Sequence, residues 1–118
     1  GLTRKEFFFF FYDTEHSLRL SKQGSILCIP KAKVYHDAIS DANVNWKTYY
    51  GIRNQLVVFK AYFGKPWLLC VGVQILKALL QPIKGRGPRV IKMRMQAIYD
   101  AIVGNLGMHS VYKPGWKP

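Results

Sequence analysis

Between Asp41 and Asp100 this chain has no acidic residue, since all six acids lie at Glu6, Asp13, Glu15, Asp37, Asp41 and Asp100. The interval holds Lys47, Arg53, Lys60, Lys65, Lys77, Lys84, Arg86, Arg89, Lys92 and Arg94 instead, within a chain of net charge +12. A long basic stretch without acids sets aside cationic partners and points to phosphate, nucleic acid or a membrane surface. Cysteine is scarce: Cys28 and Cys70 sit in apolar runs with no CxxC or Cys/His spacing. They read as buried free thiols of a reducing compartment, not as a disulfide or a zinc site. A long apolar run is also missing. The best candidate, Trp67 to Leu80, is interrupted by Gln74 and Lys77 and falls short of the roughly 20 residues that span a bilayer. Arg4, Lys5 and Glu6 precede the first apolar run, a pattern unlike a secretory signal peptide.

What is present is core material. The 118 residues are 49% hydrophobic and 14% aromatic, enough for one domain or a piece of a larger one and too much for a disordered chain. The aromatics concentrate in Phe7-Phe8-Phe9-Phe10-Phe11, which runs directly into Tyr12-Asp13-Thr14-Glu15-His16. Burying a phenyl ring is worth on the order of 1.5–3 kcal/mol, so polar groups at the edge of such a run are held in place. The run is expected to be a buried strand or the approach to a helix.

From there Asp13 is placed to cap a helix to about Gln23, with Glu15 and Arg19 paired four apart and Gly24 as the stop. Ser25 to Ile29, closed by Pro30, and Lys33 to His36 read as short strands, and 37–45 as a loop. Asn45 then caps a helix through Tyr62, stopped by Gly64. Pro66 opens another from Trp67 to about Gln81, on which Gln74, Lys77 and Gln81 form one narrow polar stripe. A hinge at 84–88 leads to a last helix, about Arg89 to Val103, with Ile91, Met95, Ile98 and Ile102 on one face. The Gly- and Pro-containing end is expected to fray.

Four residues are candidates for chemistry. A carboxylate such as Asp13 or Glu15 can act as general base, and an imidazole at His16 or His36 as metal ligand. Each also has an ordinary structural reading: a cap for Asp13, an ion pair for Glu15, a half-exposed helix residue for His16 and a structural histidine for His36.

Taken together, FFFFFYDTEHSLRLSKQGSILCIPKAKVYHD followed by YYGIRN resembles the C-terminal half of inverting glycosyltransferases of family 2, particularly rhamnosyl- and galactofuranosyltransferase-like members. The resemblance implies an α/β fragment, the C-terminal part of a GT-A-type enzyme, with short strands and a motif helix followed by three amphipathic helices. It divides the chain into an acceptor-side part of the catalytic domain (1–45), a basic helical region (46–104) and a flexible tail (105–118). It makes Asp13 the catalytic base, Glu15, Tyr50, Arg53 and Asn54 acceptor-side residues, and His36 a ligand of Mg²⁺ or Mn²⁺ on the donor diphosphate. The implied partners are a nucleotide-sugar donor, a saccharide or lipid-linked acceptor, and an N-terminal nucleotide-binding half. The implied place is the cytoplasmic, inner leaflet of a membrane, bound peripherally.

Two positions depart from the family pattern. Tyr12 stands where the first of two acids is usual, and His16 where an aromatic is usual. No D-x-D metal motif occurs anywhere in the chain, so the remaining metal ligands would have to lie outside it, and the chain alone is expected to turn over little or nothing. The alternative is a non-catalytic basic module for anionic membrane or nucleic acid. Nucleic acid is not expected, because no recognition-helix, RNP or zinc pattern accompanies the charge.

Overall fold

A computed structural model describes residues 3–35 and 44–118. Its elements are four α-helices: α1 (Tyr12–Ser21), α2 (Trp46–Phe63), α3 (Trp67–Leu79) and α4 (Pro88–Val103), with short 3-10 turns at Lys5–Phe7 and Pro82–Lys84. The α/β expectation is wrong for the described residues, which contain helix and no strand. The physical reason is the lack of a partner. Residues 25–35 are all exposed, with Leu27 at 84% and Tyr35 at 92%. β-prone runs become strands only when a neighbouring strand satisfies their backbone groups.

The helix boundaries follow local chemistry. Asn45 and Thr48 form a reciprocal capping box on α2, and Gly64 ends it at φ 64°, a left-handed conformation that suits glycine. Pro88 occupies the first turn of α4, and Gly104 closes it at φ 79°. Tyr49, Ile52 and Leu56 recur at helical spacing on α2 and share one core cluster with Val90, Met93, Ala97 and Ala101 of α4. Among the described residues α2 and α4 make the most extensive contact between helices, and α3 packs against both.

Three expectations about burial are corrected. On α4, Ile98 of the expected face is buried but Met95 and Ile102 are exposed, and the buried stripe runs along Val90, Met93, Ala97, Ile98, Asp100 and Ala101. Small side chains at 97 and 101 let α2 approach, which the bulkier Ile91–Met95–Ile102 line does not. On α3 and just past its end the two glutamines of the polar stripe turn inward: Gln74 and Gln81 are buried with Ala78, while Lys77 and Leu68, Leu69, Leu76 and Leu79 face outward. Inward placement is tolerated because Gln74 donates to Gln55 Oε1 at 3.0 Å and Gln81 donates to the Lys77 carbonyl at 2.5 Å. Of the two free thiols, Cys28 is exposed and Cys70 half-buried, because the run around Cys28 finds nothing to pack on.

Residues 105–118 form no helix or strand, yet aromatics tie them to the core. Tyr112 is buried and stacks on Tyr49 with ring centroids 4.7 Å apart, and Trp116 packs edge-on against Tyr112.

Candidate functional site

The phenylalanine run is curled. Only Phe7 is fully buried, while Phe8 and Phe10 are exposed. Phe8, Phe10 and Phe11 take φ values of 57°, 60° and 61°, left-handed conformations that cost a non-glycine residue roughly 1–2 kcal/mol each. A strand is therefore excluded here, and something must hold the curl.

The holder is α2. Asn54, wholly buried, aims its amide Nδ2 at the carbonyls of Phe7 (2.8 Å), Phe9 (2.6 Å) and Phe10 (3.0 Å). Its Oδ1 accepts from Arg53 Nε at 2.9 Å. Arg53, also buried, donates through Nη2 to Phe7 O at 3.4 Å and through Nη1 to Gly107 O at 2.8 Å. Tyr50 donates to Tyr112 O at 2.7 Å and accepts from the His109 amide at 2.9 Å. The three motif residues thus bind one another or backbone of two distant segments, the aromatic loop before α1 and the chain after α4. They form a clamp. Aromatic contacts reinforce it: Phe8 lies 5.0 Å from Tyr50 and Phe9 5.0 Å from Trp46, centroid to centroid.

The clamp sets the start of α1. Its N-cap is Phe11, in the left-handed region and with no side-chain bond, so the expected capping role of Asp13 is not observed. A left-handed Phe11 starts the helix before Asp13 is reached, which puts Asp13 inside the first turn. There it is exposed, and Oδ1 accepts from the Thr14 amide at 2.8 Å.

Glu15 points the other way. It is 2% exposed, accepts from Tyr62 of α2 at 2.9 Å and pairs with Arg19 Nε at 3.4 Å. Burial and then that bond push the Tyr62 phenol above its ordinary pKa. Arg19 also meets His16 Nδ1 at 3.1 Å. The two carboxylates of the motif therefore occupy opposite environments, Asp13 in solvent and Glu15 against α2. His36 lies outside the described residues. Among the described residues no group of three His, Cys, Asp or Glu side chains could hold a metal.

Sequence reasoning did not find a second buried network. Asp100 of α4, 1% exposed, accepts from Tyr49 at 2.5 Å and from Gln96 and Asn105 at 3.2 Å each, and lies 3.9 Å from His109 Nε2. Burial first, and the Asp100 bond second, hold the Tyr49 phenol far above its usual range. Burial pushes His109 below its ordinary value against the pull of Asp100, with Arg53 lowering it further. Asp100 stands alone among basic residues in the sequence, and that isolation was the available signal.

No family model matches the chain and no solved structure matches it. The chain is similar to the galactofuranosyltransferase GlfT2 of Mycobacterium tuberculosis (strain ATCC 25618 / H37Rv), 28% identical over an alignment of 97 residues that covers 78% of this chain. The chain spans only 15% of that protein's length.

Proposed function

We propose that the chain is the acceptor-side, C-terminal portion of an inverting glycosyltransferase of family 2. It would move a sugar from a nucleotide-sugar donor to a cell-surface polysaccharide or lipid-linked acceptor. The observation that carries the reading is the clamp: Tyr50, Arg53 and Asn54 fix a strained aromatic loop that continues directly into the helix turn bearing Asp13. Backbone strain held by buried donors is typical of sites where one side chain must be presented in a fixed position. The similarity to a galactofuranosyltransferase points the same way.

In this reading the Asp13 carboxylate takes the proton of the acceptor hydroxyl as its oxygen bonds to the anomeric carbon and the donor's diphosphate leaves from the opposite face. Both Asp13 hydrogen bonds fall on Oδ1, and exposure keeps the carboxylate open to an incoming sugar. Glu15, tied to Tyr62 and Arg19, orients α1 against α2. Tyr50, Arg53 and Asn54 act as positioning residues. The described residues alone do not fit a divalent metal centre. The Mg²⁺ or Mn²⁺ that the resemblance implies would need a donor-binding half to complete its site.

A second part of the proposal is peripheral attachment to an anionic membrane from the cytoplasmic side. Among the described residues no helix is long and apolar enough to cross a membrane. But α3 turns Leu69, Leu76 and Leu79 outward at 75%, 56% and 62% exposure, beside exposed Lys65, Lys77 and Lys84. A contiguous apolar face rimmed by cations suits shallow insertion among anionic lipids, each surface cation adding about 1 kcal/mol.

The test of the catalytic reading is a chimera in which this chain replaces the matched 97-residue segment of the mycobacterial relative, assayed with nucleotide-sugar, divalent metal and acceptor. Sugar transfer that Asp13→Asn lowers at least a hundredfold supports the reading. A well-folded chimera that transfers sugar equally well with the Asp13→Asn substitution contradicts the assignment of the base.

A further inference from the structure

The starts of α2 and α4, together with the last residues of the chain, enclose a cleft of about 1120 Å³. The side chains that give it character are Trp46, Lys47, Arg86, Arg89, Trp116 and Lys117, and among the described residues no aspartate or glutamate lines it. Among the described residues no ion pair involves Lys47, Arg86, Arg89 or Lys117.

The cleft is also built. Buried Gln81 accepts from Arg86 Nη1 at 3.0 Å while its own carbonyl accepts the Arg86 amide at 3.1 Å. This fixes the guanidinium at the rim. Arg94 lies near enough that burial, together with the charge of Arg86, lowers the pKa of Arg94. Trp46 and Trp116 are held by contacts to Tyr50 (5.8 Å) and Tyr112 (5.4 Å). The positive ends of α2 and α4 add their dipoles, and Gly87 caps α4 with no side chain competing for its first amides.

We propose that this cleft is a binding site for a phosphate or diphosphate group carried on a larger ligand. Arg86, Arg89, Lys47 and Lys117 hold the anion, and Trp46 and Trp116 give an apolar floor for what is attached to it. The site does not depend on the transfer reading, because Asp13 takes no part in its walls and the binding needs no chemistry. The phosphate could be soluble or lipid-borne. The outward leucines of α3 and exposed Ile83 lead along the chain directly into Gly85 and Arg86.

The test uses the whole chain and inorganic pyrophosphate as the first probe, followed by calorimetry and by the three indole NMR signals at low and physiological salt. The expected result is saturable binding that shifts Trp46 and Trp116 but not Trp67. The pair Arg86→Gln/Arg89→Gln should weaken it at least tenfold. The charge-matched pair Lys31→Gln/Lys33→Gln, exposed and outside the cleft, should change it less than twofold. Equal losses in both pairs would show diffuse charge attraction and overturn the site, as would no saturable binding. Should the first pair fail to fold, Lys47→Gln/Lys117→Gln serves as the cleft variant with the same outcomes. A second arm compares phosphatidylcholine vesicles doped with a polyprenyl phosphate against vesicles with phosphatidylglycerol at equal charge. Preference for the prenyl phosphate that the cleft variant loses assigns the site to a lipid-borne phosphate. No preference, with pyrophosphate binding intact, assigns it to a soluble one. None of these readouts involves sugar transfer, so failure of the transferase chimera leaves them standing.

Discussion

Replacing Asn54 by alanine should cost far more than the loss of one exposed amide would suggest. Asn54 is wholly buried, and its Nδ2 faces the carbonyls of Phe7, Phe9 and Phe10 while Oδ1 accepts from Arg53. Two amide protons serve three carbonyls, so two full bonds and one shared contact are lost on the donor side and one on the acceptor side. At about 1 kcal/mol for each net bond, with the guanidinium bond toward the upper end, the loss is about 3–4 kcal/mol. That is a large share of the roughly 5–15 kcal/mol that holds a domain together, and for a chain of this size it lowers Tm by on the order of 10–15 °C. The loss should also be local. Without the amide, the left-handed Phe8, Phe10 and Phe11 relax, and the first amides of α1 exchange faster than those of α4. Urea unfolding gives the magnitude and amide exchange the location. A variant within 1 kcal/mol of the parent, with the α1 amides unchanged, would refute the clamp. If such a variant instead raised the acceptor KM, Asn54 would be a contact residue.

Three further predictions concern charge and surface. Because the folded pKa of His109 lies below its ordinary 6.5, the folded state resists a proton that the unfolded chain accepts. Stability should fall as pH drops below about 6.5, and His109→Gln should flatten that limb. The folded pKa of Tyr49 lies above its ordinary 10.0, so stability should also fall as pH rises past about 10, a limb that Tyr49→Phe removes. On α3, Leu69→Ser/Leu76→Ser should leave the urea midpoint within about 0.5 kcal/mol of the parent, as exposed positions do. The same pair should abolish sedimentation with anionic vesicles, and unchanged sedimentation would mean that another face meets the membrane.

Much of the helical plan was legible because punctuation is local. Asn45 with Thr48, Gly64, Pro66, Pro88 and Gly104 each act within a turn of the boundary they set. Which face of a helix is buried was harder. On α3 hydropathy alone points the leucines inward, whereas the Gln74–Gln55 bond and the small Ala78 decide the packing. The site motif was visible as residues but not as geometry. Arg53 meets Gly107 across 54 positions, and Tyr50 meets Tyr112 across 62, separations that no local pattern encodes. The strand readings failed at residues 25–35 because strand propensity describes a surface awaiting a neighbour, and none is supplied among the described residues. His36 lies outside those residues.

The central claim is that the clamp presents Asp13 as the base of a glycosyl transfer, and one paired measurement tests it most directly. Asp13 is exposed and bonds only within its own turn, so Asp13→Asn should leave thermal unfolding of the chain unchanged within about 0.5 kcal/mol. In the chimera the same substitution should cut kcat at least a hundredfold, in line with the roughly 10²–10⁴ supplied by a positioned base. Undiminished kcat in the chimera carrying Asp13→Asn would contradict the claim.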